Sequence, residues 1–405
     1  MLEYLKEYFD YRTFFTCLAL VCIGLISIYS ATFDINNALN FHRQAIWAGI
    51  GFFVMLIMTF LPLRTIQRLS FFLYFLTLAI LIIILIIGST VKGSKSWFGI
   101  GGLGGQPSEF AKIATVLAFA SYLSRTGVSL SQVKHLIIAL CIFGAPMLLI
   151  LAQPDLGTTI VFFAILLPVL FWAGASNFIL IAILVPILVA LGALLGTAQF
   201  LIAAIVGATL LYMFHKNRFA VAIAFGIALA IGLTVQVIYE RMPQYQQKRI
   251  STFLNPEADP LGAGYNVVQS KIAIGSGGFF GKGYLKGTQT QLNYIPEQWT
   301  DFIFCVPGEE FGFLGGCLVI ALFFGLVLHS LRLASLSKNK FGSLASIGFA
   351  GILTTHTVIN IGMSMGLFPV IGIPLPFLSY GGSALVANMM LAGLLMNLYA
   401  HRKSY

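Results

Sequence analysis

The sequence predicts an all-α polytopic membrane protein with about 12 transmembrane helices. Hydrophobic residues make up 59% of its 405 residues and charged residues only 9%, whereas charged residues make up about 25% of soluble domains. Apolar runs suited to crossing a bilayer recur along most of the chain. A polar, glycine-rich segment at residues 239–300 interrupts them, and loops of that length are usually functional or disordered. We therefore expect one membrane domain over residues 1–405, with a large external loop before Asp301.

Each predicted span is an apolar run whose boundaries are good to a few residues. The spans lie at residues 13–31, 44–62, 70–88, 108–124, 135–152, 157–173, 177–195, 198–214, 219–238, 302–331, 341–368 and 383–400. The first run is too long for the apolar part of a typical signal peptide and lacks a convincing cleavage site. We therefore expect it to remain as a membrane anchor.

Lys and Arg residues favour the cytoplasmic side of a membrane when short loops are compared. With a cytoplasmic N-terminus, the inside loops hold 13 of these residues and the short outside loops only Arg43, Lys92 and Lys95. Both termini are therefore predicted to be cytoplasmic. Because irregular backbone cannot face lipid, the irregular segments on the outer side are expected to share one external cavity. These segments are residues 92–109, 153–159, 239–300 and 369–383.

Ionisable residues at the edges of spans are functional candidates because placing them in lipid is costly. Glu109 and Lys112 lie three positions apart at the start of a predicted helix, so they share one face and can pair. The pair either takes part in the function or only orients its helix. Asp155 and Asp301 each precede a predicted helix, where an Asp side chain either caps the helix or carries chemistry. The long external loop next to Asp301 favours chemistry there.

Several other kinds of site are excluded. The segment 275–283 lacks the Ser or Thr that follows Gly-Lys in a phosphate-binding P-loop. Its glycines, and those at residues 99–105, are expected to let backbone approach backbone or a ligand. The six histidines are scattered without the spacing of metal ligands, which argues against a zinc site built from protein ligands alone. The net charge of +10 belongs to a membrane protein and does not imply nucleic acid binding.

Several segments closely resemble signatures of the SEDS (shape, elongation, division and sporulation) family, and the resemblance covers nearly the whole chain. Residues 270–278, together with residues 281–283, are similar to the elongation branch of the family more than to its division branch. The matching segments are residues 106–112, 153–158, 255–265, 269–278, 300–302 and 372–383.

The resemblance implies a peptidoglycan glycosyltransferase that polymerises lipid II, a polyprenyl-linked glycan precursor, outside the cytoplasmic membrane during cell elongation. A class B penicillin-binding protein, which supplies transpeptidation, and other elongation-complex proteins are the implied partners. Asp301 matches the essential carboxylate of the family, and Glu109 and Lys112 match its functionally important pair. Family members usually have ten spans, so residues 197–238 are expected to be an inserted helical pair. Trp299 stands where many relatives have His, which excludes an obligatory histidine base there.

The implied reaction is attack by a sugar 4-hydroxyl on an anomeric carbon that carries a lipid diphosphate. Asp301 is the expected general base, although an unperturbed Asp is a weak base at neutral pH. Substrate binding or charge stabilisation is expected from Glu109, Lys112, Asp155, Lys271, Lys282 and Ser379. A divalent cation, magnesium or manganese, is left open. A lipid flippase or a scaffold for cell-wall enzymes would also have many spans with charges at their edges.

Overall fold

The computed structural model describes residues 8–33, 38–91, 94–100, 103–214, 217–242, 247, 253 and 263–404. Residues 255–262 of the matching segment 255–265 lie outside the described residues, as do Lys248 and Arg249 of the polar loop at residues 239–300. The helices are α1 Tyr11–Thr32, α2 Ala38–Phe60, α3 Leu63–Ile87, α4 Ser108–Leu123, α5 Val133–Ala152, α6 Leu156–Trp172, α7 Asn177–Leu195, α8 Thr197–Phe214, α9 Arg218–Arg241, α10 Ala263–Ser276, α11 Thr288–Gln291, α12 Cys305–Glu310, α13 Gly312–Leu336, α14 Lys340–Ser364 and α15 Gly382–Ala400.

The predicted helical membrane architecture is confirmed, but the count of twelve spans is not. Ten of the described helices are long and apolar enough to cross a membrane. The remaining two predicted spans correspond to α4 and α6, which have only 16 and 17 residues. A full crossing needs about 20 residues. The chain is therefore a multi-pass membrane protein in which two predicted spans are short helices.

The centre of the bundle is formed by α4, α14 and α15. On α4, every side chain except the half-buried Phe110 is buried. By contrast, α3 has large apolar side chains exposed around its outer face, including Phe72 and Ile86 at 63% and 72% exposure. A helix that is apolar on all sides is favourable where lipid covers its outer face. The degree of burial thus distinguishes helices such as α3, whose outer face suits lipid, from central helices such as α4, which position polar groups inside the protein.

A small antiparallel sheet lies between α3 and α4, an addition to the predicted helices. It is formed by β1 Ser89–Val91, β2 Ser94–Ile100 and β3 Leu103–Gly105, with β2 in the middle. The long polar segment at residues 239–300 also contains a helix that its sequence did not predict, the 14-residue α10. The apolar residues of α10 are too few to show a clear helical period, so the sequence did not predict this helix.

Helices α7, α8 and α9 pack against one another at the edge of the molecule. Their contacts enclose a separate apolar cluster that includes Val185, Val189, Leu211 and Ala228. Helices α8 and α9 match the expected helical pair at residues 197–238. Their origin as an insertion stays a prediction.

Both ends of the described chain lie at the same end of the bundle. The Asp10 carboxylate is 2.8 Å from His329 Nε2, near the end of α13. The Lys338 N–H, between α13 and α14, donates to the Arg402 carbonyl at 3.0 Å. The residues before α1 and after α15 therefore meet at the α13–α14 connection.

The glycines of residues 277–283 pack directly on the backbone of α12 and the start of α13, as expected for a close backbone approach. An added Cβ would lie 2.1 Å from the Gly308 carbonyl at Gly277 and 2.1 Å from the Glu310 carbonyl at Gly281. Backbone bonds join the segments, including Lys282 N to Glu309 O at 3.0 Å. These glycines attach the loop before Asp301 to the polypeptide that follows Asp301.

Two adjacent carboxylates on α12, before the membrane-spanning part of α13, complete this attachment. Glu309 accepts hydrogen bonds from Lys282 Nζ at 2.7 Å, the Thr290 hydroxyl at 2.7 Å, and the Gln289 and Thr290 N–H groups at 2.9 Å. Burial raises the pKa of Glu309, but these donors outweigh it and lower that pKa overall. Glu309 is therefore held as a charged, fully bonded carboxylate.

Glu310 differs from its neighbour. One oxygen accepts from the Ser30 hydroxyl and the Leu285 N–H, whereas Oε2 is buried without a partner in the described part of the chain. Burial raises the pKa of Glu310 above its usual range. Folding therefore makes the charged form of this side chain less favourable than it is in the unfolded chain.

Gly281→Ala is expected to destabilise the protein more than Gly278→Ala. Both glycines have positive φ, at 82° and 59°, but an added Cβ at Gly278 has no atom within 4 Å. Both variants are destabilised because alanine is unfavourable in a left-handed backbone conformation. Only Gly281→Ala also overpacks the contact with α12, which costs roughly 1–3 kcal/mol more. Thermal unfolding in detergent measures the difference. Equal unfolding temperatures for the two variants would show that the backbone contact contributes nothing.

Glu309→Gln and Glu310→Gln are expected to change stability in opposite directions at pH 7. The lowered pKa of Glu309 gives stability above the unfolded pKa of about 4.3, and the raised pKa of Glu310 costs stability there. Glu309→Gln turns an amide towards buried donors, which costs about 1–3 kcal/mol. Glu310→Gln removes a buried acid that folding disfavours in its charged form, so its unfolding temperature at pH 7 should exceed that of the wild type.

The pH dependence provides the control. The advantage of Glu310→Gln over the wild type should fade as pH falls, since the wild-type side chain then becomes protonated in both states. Thermal unfolding between pH 4 and 8 follows this change. Loss of stability in Glu310→Gln at pH 7 would contradict the assignment.

Candidate functional site

Asp301 lies in a turn rather than at the start of a helix. Turns run through residues 296–304, and α12 begins at Cys305 with Phe304 as its N-cap. Asp301 precedes that cap by three residues, so the expectation that it stands at a helix start is wrong, and so is the capping alternative.

The side chain and backbone of Asp301 face the loop that joins α14 to α15. Its Oδ2 atom lies 3.5 Å from where a Cβ on Gly372 would stand. The buried Asn360 amide on α14 donates both to the Asp301 carbonyl at 3.0 Å and to the Ile373 carbonyl at 2.8 Å. One side chain thus ties the carboxylate-bearing turn to the opposite loop. Asp301 itself is half-buried.

Ser379 strengthens the same contact. Its hydroxyl donates to the Thr300 carbonyl at 2.7 Å and accepts from the Leu375 N–H at 2.8 Å. The Tyr380 N–H donates to the Trp299 carbonyl at 2.8 Å. Ser379 is buried, and its bonds hold the turn that carries Asp301 against the α14–α15 loop.

Gln44 on α2 supports the loop from the other side. Its amide donates to the Ser379 carbonyl and accepts from the Gly381 N–H, both at 3.1 Å. Sequence analysis did not single out Gln44 or Asn360. A buried polar side chain in an otherwise apolar helix is the signal that identifies such residues.

The predicted pair of Glu109 and Lys112 is present and buried. Lys112 Nζ lies 2.8 and 2.9 Å from the two Glu109 oxygens, and 2.6 Å from His356 Nε2 on α14. Since a lysine ammonium can only donate, Nε2 is the acceptor and His356 carries its proton on Nδ1. That Nδ1 lies 3.1 Å from the Pro374 carbonyl and donates to it. The pair is thereby linked to the loop that faces Asp301.

His356 was missed because it was classed among scattered histidines without metal-ligand spacing. It lies 244 positions from Lys112 in the chain, so no local pattern connects them. An ionisable side chain inside an apolar span was the available signal.

Asp155 caps α6 and also joins the site. Its Oδ1 accepts from the Thr158 N–H at 3.0 Å, which is an N-cap bond, while Oδ2 accepts from Gln106 Nε2 at 2.8 Å. The Gln106 N–H in turn donates to the Ser383 hydroxyl at 3.0 Å. Asp155 therefore holds the segment before α4 against the start of α15.

The two loop lysines lie apart from this network. Lys282 pairs with Glu309 in the loop attachment. Lys271 is exposed on α10, and its Cδ lies 3.5 Å from where a Cβ on Gly366 would stand, just beyond α14. The four irregular segments at residues 92–109, 153–159, 239–300 and 369–383 thus all contribute residues to the region around Asp301. Lys271 lies at the edge of that region, and Lys282 is bound to Glu309 away from it.

Comparison with known proteins gives relatives over almost the full length. "Peptidoglycan glycosyltransferase RodA" of Treponema pallidum is 36% identical, covering 97% of this chain and 98% of that protein. "Peptidoglycan glycosyltransferase MrdB" of Escherichia coli is 35% identical, covering 98% and 95%. A chain from the structure of a peptidoglycan synthase complex that coordinates polymerization and crosslinking is 28% identical, with a TM-score of 0.72, over 98% of this chain and 99% of that one.

The chain also matches the sequence model of a family of cell cycle proteins, over residues 11–201 and 178–404. These two matches together span the whole bundle and every segment of the candidate site. The chain therefore belongs to the FtsW, RodA and SpoVE family of cell cycle proteins.

Proposed function

We propose that this protein is a peptidoglycan glycosyltransferase that polymerises lipid II into glycan strands during cell elongation. The activity named for the relatives from T. pallidum and E. coli supports this function. The similar chain from a peptidoglycan synthase complex supports a class B penicillin-binding protein as a partner that crosslinks the strands. Both termini would be cytoplasmic and the Asp301 region external, in line with the distribution of Lys and Arg.

The observation that carries the proposal is the carboxylate of Asp301 at the contact between the turn and the α14–α15 loop. In the proposed reaction the 4-hydroxyl of the acceptor sugar attacks the anomeric carbon of the donor. Asp301 takes the hydroxyl proton, the new glycosidic bond forms, and the lipid diphosphate leaves with the electron pair of the broken bond. A single displacement inverts the anomeric carbon.

Lys112 is better suited to positioning than to direct contact with the diphosphate. Its ammonium has three donors, and they meet the two Glu109 oxygens and His356 Nε2. We propose that the pair and His356 together fix Pro374 and the loop opposite Asp301. Lys271, exposed beside that loop, remains a candidate for the diphosphate, and Lys282 would have to leave Glu309 to reach it.

A divalent cation fits this site only when the substrate contributes ligands. Among the described residues, no three His, Cys, Asp or Glu side chains come together to hold a metal. Magnesium usually takes one or two protein carboxylates and completes its shell with water and substrate phosphates, so Asp301 suits that arrangement. When bound, the cation would stabilise charge on the leaving diphosphate.

Asp301→Asn is expected to abolish glycan polymerisation because the amide cannot accept the hydroxyl proton. The assay supplies purified protein with lipid II in detergent and adds moenomycin to inhibit contaminating polymerases. Glycan length is then measured on a gel. We expect a loss of at least about 100-fold, the lower range for a general base. A flippase would make no glycan even as the wild type.

Glu297→Gln is the matched control, since it removes a carboxylate from the same turn while keeping an acceptor for the Thr300 hydroxyl. It should retain polymerisation, and all variants should share the wild-type unfolding temperature. Equal activity of Asp301→Asn and the wild type would overturn the assignment of Asp301.

His356→Ala is expected to lower kcat by about 10 to 100-fold with a smaller effect on KM, because it releases Pro374 and Lys112 without touching substrate. His356→Gln keeps an acceptor and a donor on one side chain and should recover part of the rate. The same polymerisation assay measures both variants. Wild-type kcat in His356→Ala would show that this link has no part in positioning the loop.

A further inference from the structure

A second potential site lies at the other end of the bundle, between the start of α1 and the last turns of α13. There the two helices line an open cavity of about 740 Å³, within the usual range of roughly 300–1,000 Å³ for ligand sites. This is the end where residues before α1 and after α15 meet, whereas the opposite end of α1 contacts the external loop through Ala31 and Gln298. The lining residues are Tyr11, Arg12, Thr13, Phe15, Thr16, Gly325, Leu326, Leu328, His329 and Arg332.

The cavity has two positive charges that the described protein does not neutralise. Arg12 and Arg332 are both exposed, and neither guanidinium group has a hydrogen bond or ion pair in the described part of the chain. The nearby carboxylate, Asp10, is buried and already engaged, with Thr13 Oγ1 at 2.6 Å and His329 Nε2 at 2.8 Å. The cavity therefore favours an anion.

His329 adds a second polar feature. It lines the cavity, and its Nδ1 is buried with no partner among the described residues. Arginine forks match phosphate oxygens, which makes phosphate the best-fitting anion for this arrangement.

Apolar residues of the same cavity limit the kind of phosphate compound. Phe15 and Leu328 line it with 59% and 47% of their surfaces exposed, next to helix surfaces that face lipid. A soluble phosphate would leave these side chains uncovered, whereas acyl chains would cover them. Basic pockets between membrane helices are suited to anionic lipid headgroups.

We propose that this cavity binds an anionic phospholipid, with Arg12 and Arg332 holding its phosphate and with Phe15 and Leu328 contacting its acyl chains. The site is separate from the Asp301 region and does not depend on the polymerase activity. It would couple the contact between α1 and α13 to the lipid composition of the surrounding leaflet.

Native mass spectrometry of the full chain, titrated with phosphatidylglycerol or phosphatidylcholine, tests the proposal. Phosphatidylglycerol should bind the wild type at least about tenfold more tightly than phosphatidylcholine, and Arg12→Gln/Arg332→Gln should remove that preference. Arg64→Gln/Arg68→Gln is the matched control, because it removes two exposed charges at the same end outside the cavity. The control should bind within about twofold of the wild type.

Gly325→Trp provides a second variant that keeps both arginines. An added Cβ at Gly325 has no atom within 4 Å, so the indole should fit and occupy the cavity. It should weaken phosphatidylglycerol binding as the double arginine variant does, and it decides the question if that variant does not fold.

Three results would overturn the proposal. Equal losses in the cavity and control arginine variants would indicate nonspecific attraction to negative charge. Unchanged binding in Gly325→Trp would place the lipid elsewhere. Competition by glycerol 3-phosphate at the concentration of lipid that saturates the site would identify a site for soluble phosphate rather than lipid.

Discussion

The candidate site depends on one buried amide, the side chain of Asn360. It donates to the carbonyls of Asp301 and Ile373 and so joins two irregular segments that have no secondary structure of their own. In a membrane protein the backbone groups of such segments must be satisfied by protein or by water. Asn360 can do this because it lies on α14, one of the most buried helices of the bundle. The position of the Asp301 carboxylate therefore follows from the packing of a central helix.

The remaining contacts extend this constraint in two directions. Lys112, His356 and Pro374 connect the loop opposite Asp301 to α4, so the ion pair inside the bundle acts on the site through a chain of hydrogen bonds. On the other side, close glycine contacts and Glu309 attach the loop at residues 263–300 to α12. Asp301 thus lies between the buried core and a loop that is fixed to it at defined points, an arrangement that would keep Asp301 oriented in its proposed role as base.

Sequence reasoning succeeded where a feature is set by local geometry. Glu109 and Lys112 are one turn apart on a helix, and Asp155 directly precedes the N–H groups that it caps, so both arrangements follow from spacing. It failed where distant segments decide the outcome. Nothing near His356 in the chain indicates Lys112 as its partner, and the turn at Asp301 is set by bonds to α14 and the loop after it. The helical state of α10, likewise, is not apparent from a polar, glycine-containing sequence.

The most direct test of this arrangement is the polymerisation rate of Asn360→Leu, measured well below its unfolding temperature. Leu has a similar volume but no N–H groups, so the carbonyls of Asp301 and Ile373 would lose their donor while the helix remains packed. If the amide holds the catalytic turn, the folded variant should polymerise lipid II at least about tenfold more slowly than the wild type, as expected for a misplaced catalytic group. A folded Asn360→Leu protein with the wild-type rate would contradict the dependence of the site on this interaction.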